Sequence, residues 1–366
     1  MNEKLQKAAE IGQGIWIDSI SRDDLVEGGA LERMIGDGVV GVTSNPTIFQ
    51  KAISESSRYD EQLEEAAKET DDPKEIFLAL AREDIRGACD LLAPVHERTA
   101  GKDGYVSLEV SPGLAYDAPK TADEALRLHA MVDRKNLLVK IPATKPGLAA
   151  IEDVVASGKS VNVTLIFSLA RYRAVARAYI RGLQRLVAAG GDSSEVASVA
   201  SFFVSRVDSE GDRRLDDVGR PDLKGKLAIA NARLAYAAFK EIFSGEDWEY
   251  LESKGAAKQR PLWASTSTKN PDYPDTIYVD NLVGPDTVNT MPAETLAAAM
   301  DHGDIRPRIK EDIEDARRLP RILAEAGVDY DDVTETLEKE GVEKFVESFD
   351  EMLETIREKS RKLVRQ

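Results

Sequence analysis

Lys140 stands in the run Leu137-Leu138-Val139-Lys140-Ile141-Pro142, with apolar neighbours on both sides. Burial penalises the charged form of a lysine, so a lysine in a central strand is expensive. Such a residue is useful where a neutral amine is needed. At the ordinary pKa of ~10.4 only about 1 lysine in 2,500 is neutral at pH 7. Lowering that value to about 7–8 makes the amine a nucleophile for a carbonyl carbon, giving a Schiff base. A lysine simply paired with a carboxylate at a barrel mouth fits the strand context equally well. Asp18 and Glu109 are the matching carboxylates. Retro-aldol cleavage needs a base for the hydroxyl beside the breaking bond. Schiff-base formation needs a proton shuttle to expel water. Two carboxylates in different surroundings can divide those tasks, although each could also be the structural partner of a barrel lysine or arginine. Thr164 and Ser201 offer hydroxyls for a water or a substrate, or are satisfied core hydroxyls.

Further polar residues lie in or just after apolar runs: Asn45, Asn162 and Arg206. Ser265, Ser267 and Lys269 follow another, in Trp263-Ala264-Ser265-Thr266-Ser267-Thr268-Lys269-Asn270. Hydroxyls, backbone N–H groups and one cation suit a phosphate. Other chemistries lack their residues. The three histidines, His96, His129 and His302, form no H-E-x-x-H or paired-ligand pattern. That favours a metal-free lysine mechanism over a zinc aldolase, which needs several histidine ligands. Gly12-Gln13-Gly14 precedes a strand and is a weak turn signal, and neither a Walker A sequence nor a G-x-S-x-G elbow occurs. Cys89 reads as a core residue.

The elements that must position these groups alternate in type. Strand-like runs fall at 14–20, 38–44, 105–110, 137–143, 160–166, 196–203, 260–265 and 276–283. Most are rich in Val, Ile, Leu and aromatics, as strands buried on both faces are. Helical stretches separate them. Thr121-Ala122-Asp123-Glu124 reads as a capping box. Residues 168–189 carry Leu169, Tyr172, Val175, Ala176 and Tyr179 at helical spacing and stop at Gly190-Gly191. Residues 222–243 and 292–301 behave alike, and 52–100 reads as an insertion of one or two helices. About eight strand–helix units in this length predict an α/β fold, a single (β/α)8 TIM barrel with its active site at the C-terminal ends of the strands.

From about 306 the pattern changes. Val342, Phe345, Val346, Phe349, Met352, Leu353 and Ile356 form an apolar stripe on a charged helix. A helix packed across the barrel, a lid, or a dimer contact all fit that stripe. No low-complexity linker interrupts the chain, so residues 1–366 read as one domain, with 306–366 a helical C-terminal extension packed on it.

The 49 Lys+Arg and 66 Asp+Glu of the 366 residues give a formal net charge of −17. This argues against nucleic acid and against anionic membranes as partners. One cysteine excludes an internal disulfide framework and fits a reducing compartment. The start has no apolar signal-peptide core, and no run approaches the ~18 apolar residues of a membrane span. The expectation is a soluble cytoplasmic protein.

Gly41-Val42-Thr43-Ser44-Asn45-Pro46-Thr47-Ile48-Phe49 resembles the first transaldolase signature, and residues 137–154, LLVKIPATKPGLAAIEDV, resemble the second. Further matches are Trp16-Ile17-Asp18, Ser107-Leu108-Glu109, the run 162–168 (NVTLIFS) and the run 201–206 (SFFVSR). They run in order from about 14 to 283. The resemblance is to the long bacterial members of this family of class I aldolase barrels. It implies transfer of a dihydroxyacetone unit from sedoheptulose 7-phosphate to glyceraldehyde 3-phosphate, giving erythrose 4-phosphate and fructose 6-phosphate in the pentose phosphate pathway. It implies phosphorylated sugar substrates, no cofactor, no metal, and a monomer or homodimer. By the same resemblance Lys140 is the Schiff-base nucleophile and Asp18 the acid/base of carbon–carbon cleavage. Glu109 and Thr164 shuttle protons through a water. Asn45, Asn162 and Ser201 hold hydroxyls of the dihydroxyacetone unit, and Arg206 binds phosphate. The family often has Ser-x-Arg after the seventh strand; here it is Ser265-Thr266-Ser267, with Lys269 two residues on. The alternative is the related fructose-6-phosphate aldolase, which releases free dihydroxyacetone. Transaldolases tend to have Phe two positions after the Ser201-type serine and the aldolases Tyr; Phe203 favours transfer.

Overall fold

The computed structural model describes residues 1–363. Eight strands close into a barrel: β1 (Gln13–Asp18), β2 (Gly41–Thr43), β3 (Tyr105–Glu109), β4 (Leu137–Pro142), β5 (Val161–Ile166), β6 (Ser198–Phe203), β7 (Arg260–Ala264) and β8 (Thr287–Met291). All neighbours are parallel and follow sequence order, and β8 closes on β1. A closed parallel barrel has no sheet edge and buries both faces of each strand. That is why these runs are short and apolar. Large rings pack its outer face against the helices: Phe202 meets Trp263 edge to face at 6.2 Å and Tyr172 of the helix Leu169–Ala188 at 6.1 Å. Gly41 is required beside Trp16, because a Cβ there would lie 2.4 Å from the indole ring.

Helices start where side chains cap them. Ser168 accepts from the Arg171 N–H at 3.1 Å and opens the helix Leu169–Ala188. The segment 52–100 contains three helices or parts of them, Pro46–Glu55, Asp60–Glu69 and Pro73–Arg98, rather than one or two. Thr121 is not an N-cap: the helix Ala118–Val132 begins earlier, capped by Asp117, and the Thr121 hydroxyl donates to the Leu114 carbonyl at 2.7 Å. The run 276–283 is not a strand either. It holds the short helix Ile277–Asn281, and the eighth strand is Thr287–Met291.

Two irregularities shape the C-terminal mouth. Between Val163 and Ile166, β5 carries one residue more than β6 opposite Ala200–Phe202, a bulge with Leu165 at φ +61°. The second is the tail helix, Tyr330–Leu363, which packs on Pro46–Glu55, Pro73–Arg98, the helix Ser205–Asp217 and β5. Arg171 pairs with its Glu338 at 3.1 Å, and its Lys359 donates to the Ile53 and Ser56 carbonyls at 2.7 and 2.9 Å. Phe349 meets Phe77 edge to face at 6.1 Å. Gly341 sits where this helix crosses β5; a Cβ there would lie 3.1 Å from Leu165 Cδ2. Among the described residues no helix is long and apolar enough to cross a membrane.

Candidate active site

Strand register brings the predicted groups together. Glu109 on β3 is level with Lys140 on β4, Lys140 with Asn162 on β5, and Asp18 on β1 with Thr43 on β2. Lys140 is 6% exposed. Its Nζ forms an ion pair with Glu109 Oε1 and donates to the Ser44 carbonyl at 3.0 Å. The ring of Phe345 lies 6.0 Å from Nζ. Both readings of the lysine thus meet in one place, because it is paired and also faces a cavity.

That cavity measures about 380 Å³ and opens at the C-terminal ends of the strands. Asp18, Asn45, Lys140, Thr164, Ser201, Phe203, Arg206, Ser265, Ser267 and Lys269 all line it. Glu109 lines a small adjoining void of about 10 Å³, together with Lys140 and Thr164. Asn162 lines neither. It is fully buried, donates to Ser107 Oγ at 3.0 Å and accepts from Ser201 Oγ at 2.7 Å. Its place is behind Ser201. Asn45 has a second task, since its Oδ1 caps the helix Pro46–Glu55 by accepting from the Ile48 N–H at 3.0 Å. Its amide nitrogen remains for the cavity.

Burial pushes the Asp18 carboxyl above the ordinary carboxylate range, opposed by the Lys140 charge and by a bond from Thr43. Thr43 Oγ1 donates to Asp18 Oδ1 at 2.6 Å and lies 2.7 Å from Thr290 Oγ1. A hydroxyl has one proton, so Thr43 must accept from Thr290, and the relay runs from Thr290 through Thr43 to Asp18. Burial raises Glu109 too, again opposed by Lys140. Glu109 Oε2 and Thr164 Oγ1 are buried without a hydrogen-bond partner. Polar groups in that state accommodate a water where space allows.

The cavity's outer part is cationic. Arg206 is the second residue of the helix Ser205–Asp217, whose N-terminus favours an anion. Burial lowers the guanidinium's affinity for its proton, opposed by the charge of Glu340; an arginine stays charged regardless. The guanidinium lies 5.4 Å from the Phe203 ring. Ser265 adopts φ +56° and shares a 2.9 Å hydroxyl bond with Ser205. Lys269 Nζ donates to Ser267 Oγ at 2.7 Å.

Sequence reasoning missed Thr43 and Thr290, because threonine in a strand is already explained by β-propensity. It also missed Lys344, Phe345 and Ser348 of the tail helix as lining residues. Phe345 was visible in the apolar stripe, but the stripe alone does not reveal what it covers. Among the described residues no cluster of three or more His, Cys, Asp or Glu side chains is arranged to hold a metal ion.

Comparison with known proteins agrees with this geometry. The family model described as transaldolase/fructose-6-phosphate aldolase matches residues 15–356. The chain is 51% identical over 360 residues to a protein of Frankia alni named transaldolase, covering 97% of each. It is 53% identical over 362 residues to one of Parafrankia sp. with the same name, covering 98% of each. A third, from Acidothermus cellulolyticus, is 52% identical over 355 residues, covering 96% of this chain and 95% of the relative. The chain belongs to the transaldolase/fructose-6-phosphate aldolase family.

Proposed function

We propose that the protein is a transaldolase of the pentose phosphate pathway, acting on phosphorylated sugars in the cytoplasm. The observation that carries this reading is one buried amine, Lys140, facing a polar cavity with a carboxylate for each proton-transfer task. The neutral amine attacks the carbonyl carbon of sedoheptulose 7-phosphate and forms a carbinolamine. Glu109 and Thr164, through a water between them, protonate the departing hydroxyl; the void they share is about the size of one water. The Schiff base then acts as an electron sink. Asp18 takes the proton of the hydroxyl on the fourth carbon, and the bond between the third and fourth carbons breaks. Erythrose 4-phosphate leaves, and three carbons remain on Lys140 as an enamine. That enamine attacks the aldehyde of glyceraldehyde 3-phosphate while Asp18 returns its proton. Hydrolysis of the new Schiff base releases fructose 6-phosphate.

Asn45 and Ser201, with Asn162 orienting Ser201, hold hydroxyls of the three-carbon unit. Arg206, Ser265 and Lys269 receive phosphate. Phe203 has no hydroxyl with which to orient a water on the enamine, which supports transfer over release of dihydroxyacetone. The names of the relatives support the same choice. Borohydride reduction in the presence of fructose 6-phosphate tests the chemistry. It leaves a stable adduct on Lys140 that is lost in Lys140→Ala. An adduct on another lysine, or none, overturns the mechanism. Rapid release of dihydroxyacetone without an acceptor would make the protein an aldolase.

A further inference from the structure

One cation in the cavity comes from beyond the eight strands and the segments that connect them. Lys344 lies on the tail helix and lines the same cavity as Lys140, Arg206 and Lys269. Ser348, one turn further along the same helix, lines it as well. One turn in the other direction, Glu340 accepts from the Lys344 ammonium at 3.0 Å. Glu340 is also the acid whose charge acts on Arg206. Among the described residues Arg206 has no ion-pair partner and Lys344 has only Glu340, so one nearby carboxylate is set against two cations.

That pairing is weak. The Lys344 and Glu340 side chains are 58% and 45% exposed, and exposed pairs of this kind contribute little. A phosphate carries more charge and more acceptor oxygens than a carboxylate and competes well for a lysine. The strands leave room for such a contact. Where the family pattern often supplies an arginine after β7, this chain has Ser267, and Lys269 is turned onto its hydroxyl.

We infer that Lys344 and Ser348 of the tail helix hold the phosphate of the sugar substrates, with Glu340 as a placeholder on Lys344 that the phosphate displaces. This makes the tail helix a specificity-determining wall of the site rather than only a packing element. The inference rests on the phosphosugar reading above. It adds that discrimination for phosphorylated over unphosphorylated aldehydes depends on a segment outside the barrel.

The test compares Lys344→Met, Lys344→Arg and Glu340→Gln with the parent, using glyceraldehyde 3-phosphate and unphosphorylated glyceraldehyde as acceptors. Calorimetric binding of inorganic phosphate gives a readout independent of turnover. K344M should raise KM for glyceraldehyde 3-phosphate about 5- to 20-fold with kcat nearly unchanged, the scale of one partly exposed charge-assisted contact. Its KM for glyceraldehyde should not move, and its affinity for phosphate should fall by a similar factor. K344R should retain most of the parent's affinity, and E340Q should bind phosphate more tightly. Equal phosphate affinity in K344M and parent overturns the inference, as does an equal rise in KM for both acceptors. Borohydride trapping on the parent separates the two levels. A parent that traps on Lys140 while K344M binds phosphate normally refutes only the role of the tail helix. A parent that traps nothing refutes the reaction itself.

Discussion

Replacing Asp18 by Asn separates the two proton-transfer tasks assigned to the site. Asparagine keeps the shape and an oxygen that can accept from Thr43, which now lies 2.6 Å from Asp18 Oδ1. It cannot take a proton. Loss of a general base lowers turnover by about 10²–10⁴, or about 2.7–5.4 kcal/mol of barrier. Glu109, Thr164 and Lys140 are untouched, so the Schiff base still forms and the reaction stalls after it. Borohydride should therefore trap as much adduct on Lys140 as in the parent, or more, while coupled assay of erythrose 4-phosphate shows the loss. Stability should move the other way. Burial holds the Asp18 carboxyl above its unfolded value. The folded chain then binds protons more readily, and the group's contribution to stability falls as pH rises through the folded value. An uncharged amide escapes that cost, so Asp18→Asn should melt no lower than the parent at pH 8. Near-parent turnover would remove Asp18 from the chemistry. Loss of turnover and adduct together, in a folded protein, would place Asp18 in Schiff-base formation instead.

Three further substitutions test separate parts of the structure. Thr164→Val removes a buried hydroxyl that has no partner, so it should leave stability intact and slow adduct formation about 10–100-fold, below the usual range for a direct acid–base group; an unchanged single-turnover rate would exclude Thr164 from the shuttle. Gly341→Val forces carbon into the 3.1 Å gap to Leu165 and the 3.4 Å gap to Phe167. Overpacking of that kind costs about 1–3 kcal/mol, so the melting temperature should fall and KM rise together; neither changing would mean that the tail helix shifts off β5 freely. Asp208 is buried, accepting from the Ala228 N–H at 2.7 Å and Tyr278 Oη at 2.9 Å, and burial pushes its carboxyl up to about 7. Because the folded value is the higher one, its contribution falls between about pH 4 and 7 and then levels. Asp208→Asn should flatten the parent's stability–pH curve in that window, and the same change in unfolding free energy between pH 5 and 7.5 in variant and parent, from urea titrations, would refute the assignment.

How legible this was in the sequence depended on what each pattern had to distinguish. Lys140, Asp18 and Glu109 stood out because a charge inside an apolar run is costly to bury, although a structural ion pair explained it as well as chemistry did. Seven strands were readable for the same reason in reverse, being nearly continuous apolar runs. The eighth was displaced because Thr276-Ile277-Tyr278-Val279 has strong β-propensity yet forms part of a connection, where tertiary placement wins over local preference. The true β8 contains Asn289 and Thr290, which bond Thr266 and Thr43 inside the barrel, so it reads as polar. Asn162 was gathered into the site from its place in the fifth strand, level with Lys140. Its position behind Ser201 depends on a three-residue hydrogen-bond chain through Ser107 that no spacing encodes. The tail stripe correctly signalled a buried helical face. Its second role as a cavity wall is invisible to periodicity, since a hydrophobic face looks the same over a core and over a site.

The position of the tail helix also sets an order of events during synthesis. Every residue it covers, including Phe77, Leu165 and Phe167, precedes Tyr330 in the chain. At about 5–20 residues per second, ribosomes need roughly 4–14 s to go from the end of β8 at Met291 to the end of the helix at Leu363. During that interval Lys140, Asp18 and Glu109 can already stand together on the strands, but the mouth lacks its roof and presents apolar rings to the surroundings. The nascent chain is then open to capture by chaperones at the same face that later carries the cavity.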